Sequence, residues 1–111
     1  MKSYRSYSDG RFLKKEDVTP PQVWTITNAE ERTVSAPGKE PKDKPVLFFD
    51  GTKKGLVLNM SNGDVLYELT GSDDPEEWIG TRVELYVDDE VKYAGKRVGG
   101  IRLRRPTKEP F

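Results

Sequence analysis

One well-bounded helix signal, set among short strand-like runs, constrains this chain more than any other feature. Ser61 reads as an N-cap, and Asp64, three residues on, can close a variant of the capping box. Met60 and Val65 are spaced as a hydrophobic staple. Val65, Leu66 and Leu69 form a stripe to be buried, and Gly71 stands where a C-cap belongs. The spacing predicts a helix over 62–70. So short a helix is marginal alone in water, so it must dock on other elements.

The flanking runs read as strands. Gln22-Val-Trp-Thr-Ile-Thr27 alternates, with Trp24 and Ile26 on one face and Val23, Thr25 and Thr27 on the other. Val46-Leu-Phe-Phe49 and Leu56 to Asn59 follow, joined by an Asp50-Gly51 turn signal. Val83, Leu85 and Val87 point inward, while Arg82, Glu84 and Tyr86 point outward. Asp88 to Glu90 bends that strand, Val91 to Tyr93 resumes it, and Ala94-Gly-Lys-Arg97 makes a turn. Gly99-Gly100 marks a bulge or kink, after which Ile101 and Leu103 go in and Arg102 and Arg104 go out. The expected strands are 22–34, 45–50, 55–59, 81–93 and 98–105.

Punctuation sets the rest. Residues 31–45 hold three prolines and a glycine near their centre and read as a long loop. Asp74 caps a short helical turn with Pro75 at its first position and Gly80 at its end, and Trp78 and Ile79 plug the end of the barrel. Residues 1–11 read as a disordered tail, 12–106 as the domain, with Phe12 and Leu13 touching its core, and 107–111 as a frayed end.

Composition narrows function. Of 111 residues, 33% are apolar and 34% charged, which allows one domain with one modest core. Cysteine and histidine are both absent, removing disulfides, thiol nucleophiles, the ligands zinc prefers and the commonest base near neutral pH. No acidic motif resembles a calcium loop or a two-metal site, so the expectation is a non-catalytic protein without cofactor or metal. No run approaches the roughly 20 apolar residues that span a bilayer, and the expectation is a cytoplasmic protein with no membrane partner. Net charge is zero but unevenly spread: residues 64–90 hold ten acids and one base, and residues 91–108 hold seven bases and no acid. A bipolar chain can offer phosphates a basic face while staying neutral overall. The opposing reading is a pair of solvated faces whose charges pair across the barrel.

An all-β chain with one short helix between its third and fourth strands has the element order of an OB-fold, a five-stranded Greek-key barrel. Another small barrel or roll of the same strand count is the competing architecture. OB-folds hold oligonucleotides across strands two and three and the adjoining loops. Single-strand binding needs cations along the phosphates and rings under the bases. The candidate rings are Phe48, Tyr86 and Tyr93, and the candidate cations are Lys53, Lys54, Lys92, Lys96, Arg97, Arg102 and Arg104. Plainer readings stand beside these. Phe48 fits a second core position, Lys53 and Lys54 fit edge-strand guards, and the two arginines fit partners for Glu84 and Asp88.

Four segments carry a resemblance: Phe12-Leu-Lys-Lys-Glu-Asp-Val18, Val46 to Asn59, Trp78-Ile-Gly-Thr-Arg-Val-Glu-Leu-Tyr86 and Ile101-Arg-Leu-Arg104. Together they resemble a family of small bacteriophage and prophage proteins, some labelled single-stranded DNA-binding. The resemblance implies an accessory in phage DNA replication or recombination, with single-stranded DNA or RNA as ligand and a replication or recombination protein as a further partner. The long 31–45 segment and the lack of an acidic, aromatic-rich tail depart from better-known single-strand binders. The competing function is an interaction module that docks a basic protein through the acidic segment 73–90.

Overall fold

The computed structural model describes residues 12–34, 38, 40–93, 95–97 and 99–106. The expected tail at 1–11 and frayed end at 107–111 lie outside the described residues. The strands are β1 (Gln22–Val34), β2 (Lys42–Phe49), β3 (Thr52–Val57), β4 (Arg82–Asp88), β5 (Lys92–Tyr93), β6 (Lys96–Arg97) and β7 (Gly100–Arg104). The helix α1 (Met60–Thr70) lies between β3 and β4, and 3₁₀ turns occupy Lys15–Val18 and Pro75–Trp78. Five strands form one antiparallel sheet in the order β3-β2-β1-β4-β7, and β5 and β6 form a separate hairpin. Among the described residues, no helix is long and apolar enough to cross a membrane.

β1 serves both halves of the sheet. Its residues 22–25 pair with β4 and its residues 26–34 with β2, with a register shift between Ile26 and Asn28. One extra residue reverses which side chains face out. Val23 and Thr25 point outward before the shift, and Asn28, Glu30 and Arg32 after it. The inner face buries Ile26, Leu47, Phe49, Leu85 and Leu103 against Leu66 of α1 and Trp78. Trp24 tilts onto Phe49 at 5.9 Å, and its indole lies directly over Gly51, where a Cβ would come within 2.0 Å of Nε1.

The sheet does not close into the expected barrel. Among the described residues β3 and β7 remain its edges, and no ladder joins them. Irregular pieces occupy those edges instead. Phe12 makes a parallel bridge to Gly55, and the Leu13 N–H donates to the Gly55 carbonyl at 2.8 Å. Against β7, the buried Asn62 side chain donates to the Ile101 carbonyl at 3.0 Å and accepts from the Leu103 N–H at 3.1 Å. A side-chain amide thus takes the hydrogen bonds a neighbouring strand would take, leaving neither backbone group unpaired.

Several expectations need correction. Residues 31–45 are mostly a two-stranded arm, since the β1–β2 ladder runs out to Val34 and Lys42. Pro45 fits because its carbonyl accepts from the Leu58 N–H at 2.9 Å, so its missing N–H faces away from β1. The helix begins earlier than expected. Asn59 is the N-cap, its Oδ1 accepting from the Asn62 N–H at 2.8 Å, and Ser61 is an exposed first-turn residue. Asparagine caps as well as serine, and the chain leaves β3 already extended at Asn59. Met60 is 81% exposed, so the staple does not form. Trp78 is buried and donates its indole N–H to the Ser72 carbonyl, but Ile79 turns to solvent. β4 stops at Asp88, whose carboxylate accepts from the Glu90 N–H, and Lys96 and Arg97 sit in β6 instead of in a turn.

Candidate nucleic-acid interface

Strand alternation brings Asn28, Glu30 and Arg32 of β1 onto one outer face with Lys42, Lys44, Val46 and Phe48 of β2. Phe48 is half-buried and points outward, and the Arg32 guanidinium lies 5.4 Å from its ring centroid. Gly55 of β3 makes room for this platform. A Cβ there would approach Val46 Cγ1 to 2.6 Å and Phe48 Cε1 to 3.1 Å. Lys53, two residues before Gly55, shares the face and is exposed. Arg32 sits directly opposite Lys44, a like-charge pair that is unfavourable unless an anion lies nearby. Glu30 meets part of that need with a 2.8 Å ion pair to Arg32 at the surface. Lys42, Lys44 and Lys53 have no ion-pair partner among the described residues.

The second cluster lies on the outer face of β4 and β7, where Glu84 faces Arg104 and Tyr86 faces Arg102. The Arg104 guanidinium stacks on Tyr86 at 4.1 Å and binds the Glu84 carboxylate through Nε and Nη2. Glu84 points outward as expected, but only 6% of its side chain is exposed because it lies under this arginine. Arg102 reaches the helix cap, with Nη1 at 3.5 Å from Asn59 Oδ1.

The remaining residues divide. Lys54 turns away from the Phe48 face and binds Asp17 at 3.0 Å. The Asp17 carboxyl is held below the usual carboxylate range, first by the Lys14 backbone N–H at 2.8 Å and then by Lys54. Lys92 is exposed in β5 opposite Arg97, and Tyr93 pairs with Lys96. The side chains of Tyr93, Lys96 and Arg97 lie outside the described residues. The predicted set is therefore divided three ways: Phe48 and Lys53 on the β2–β3 wing, Tyr86, Arg102 and Arg104 on the β4–β7 wing, and Lys92, Tyr93, Lys96 and Arg97 in the separate β5–β6 hairpin, with Lys54 turned toward Asp17.

Sequence reasoning missed Arg32 and Asn62. The expected strand 22–34 matches β1, but the segment from residue 31 also reads as a loop, which hides Arg32 as a platform residue facing outward with Asn28 and Glu30. Asn62 offered no signal, because a polar residue in a helix's first turn reads as solvated. Among the described residues, no group of carboxylates is placed to hold a metal ion. Set against known proteins, the chain matches no family model, no curated protein and no solved structure.

Proposed function

We propose that this protein binds single-stranded nucleic acid, without catalysis, on the outer face of β1, β2 and β3, and that the open sheet acts as an OB-like platform. The observation that carries this reading is Arg32 stacked over Phe48 beside Lys42, Lys44 and Lys53. Lysines without partners track phosphates, and a base can share the Phe48 ring face with the guanidinium. Arg102, Arg104 and Tyr86 are the alternative track, weakened because Arg104 is already neutralised by Glu84. The resemblance noted above makes an accessory role in phage DNA replication or recombination the natural setting.

A salt-titrated binding assay with fluorescent oligo-dT and oligo-U tests the reading. Each phosphate contact on a single strand contributes about −0.7 to the slope of log K against log salt, so Arg32, Lys42, Lys44 and Lys53 together give roughly −3. Absence of binding to either oligomer at micromolar concentration and low salt overturns it. The second reading, docking of a basic partner through segment 73–90, draws on the exposed Asp73, Asp74, Glu76 and Glu77.

A further inference from the structure

α1 carries large apolar side chains on two faces. One, with Leu66 buried and Val65 and Leu69 packed beside it, faces the core. The other carries Met60, Gly63, Asp64 and Tyr67, at the spacing of one helical side. This second face borders a groove of about 520 Å³ whose other lining includes Pro45, Leu58 and Trp78. Met60 is 81% and Tyr67 54% exposed, so two large apolar side chains stand uncovered at its margin.

Gly63 is the informative residue. A glycine inside a helix costs about 1 kcal/mol relative to alanine. Among the described residues an added Cβ would meet only Leu58, at an ordinary 3.7 Å, so packing does not require a glycine here. Its effect is to leave the groove wall open to close approach. Charge then limits what approaches. Asp64 and Asp73 line the groove with no ion-pair partner among the described residues, against one cation, Lys44. Two carboxylates repel a polyanion and attract ammonium or guanidinium groups.

We propose that this groove docks a basic, apolar-anchored peptide segment of a partner protein, its apolar side chains against Leu58, Met60 and Tyr67 and its cations toward Asp64 and Asp73. The groove borders the Phe48 face at Lys44 and takes in Asp73 of the acidic segment, but its apolar wall, Leu58, Met60 and Tyr67, belongs to neither reading and goes beyond both.

The test uses three short fluorescein-labelled peptides, alternating leucine with lysine, leucine with glutamate, and serine with lysine. The leucine–lysine peptide should bind, and the other two should bind at least about tenfold more weakly. Gly63→Leu fills the groove with a strong helix former, so it should keep the melting temperature and still lose the peptide by about tenfold or more. Asp64→Asn with Asp73→Asn should weaken binding and flatten its salt dependence. Oligo-dT binding should be unchanged by Gly63→Leu, so failure here and failure of the nucleic-acid reading are distinguishable. The proposal is overturned if Gly63→Leu retains full peptide affinity or if the leucine–glutamate peptide binds equally well. It is also overturned if sedimentation shows a dimer that Gly63→Leu dissolves, which would make the occupant a second copy.

Discussion

Two wings of one bent sheet each stack an arginine on an aromatic ring, and they do opposite things with the charge. On the β4–β7 wing, Arg104 covers Tyr86 while binding a carboxylate that is almost fully buried. On the β2 wing, Arg32 covers Phe48 while its acidic partner Glu30 stays at the surface, and three lysines share the face without partners among the described residues. Burial of the acid makes the difference. A desolvated carboxylate holds its cation tightly because water cannot take the cation's place. An exposed carboxylate holds its arginine by about 1 kcal/mol or less and yields it to a phosphate. One wing commits its arginine to a buried acid, and the other leaves its cations at the surface, as the proposed binding of an anion requires.

The largest effect that could break this contrast is on the β4–β7 wing. Arg104→Ala should cost about 2 kcal/mol in denaturant unfolding by removing a cation from the desolvated Glu84 carboxylate, and adding Glu84→Gln should recover part of it. The folded fraction should still bind oligo-dT like the wild type. Phe48→Ala comes next and should act on the other readout. Among molecules shown to be folded by a thermal melt, it should lose about 1–3 kcal/mol of oligo-dT affinity with the salt slope intact.

Smaller effects sharpen the boundary. Asn59→Ala should destabilise by about 1 kcal/mol through loss of the helix cap, whereas Ser61→Ala should change unfolding by a few tenths at most. Neither should move nucleic-acid affinity. Asp17→Asn should have the smallest effect, visible in stability against pH. A carboxyl whose pKa is lowered on folding stabilises above the ordinary carboxylate range, and that contribution is lost as pH falls through its folded pKa. The difference between wild type and Asp17→Asn should therefore be full near neutrality and vanish in strong acid.

Much of the fold was legible because local signals agreed with burial. The alternation at Trp24 and Ile26, the Asp50-Gly51 turn, the Gly71 cap and the Asp74-Pro75 turn all appear where their chemistry places them. What was not legible depends on contacts distant in sequence. Asn62 replaces a strand at the edge of β7 thirty-nine residues away, and no local pattern marks a side chain for that task. The arm was misread because prolines signal loops, whereas Pro45 sits with its nitrogen on the edge away from β1 and leaves that ladder whole. The candidate residues were chosen by type and by facing outward. The plainer reading of the arginines as partners of Glu84 holds for Arg104, whereas the pairing of Lys54 with Asp17, distant in sequence, had no local signal.

The most direct test of the contrast compares oligo-dT salt slopes for two double variants, one on each wing. Arg32→Ala with Lys44→Ala should reduce the slope by about 1.4, twice the single-strand contribution per phosphate, while Arg102→Ala with Arg104→Ala, measured on folded protein, should leave it near the wild-type value. The reverse pattern, with the slope lost from the β4–β7 wing and kept without Arg32 and Lys44, would contradict the account.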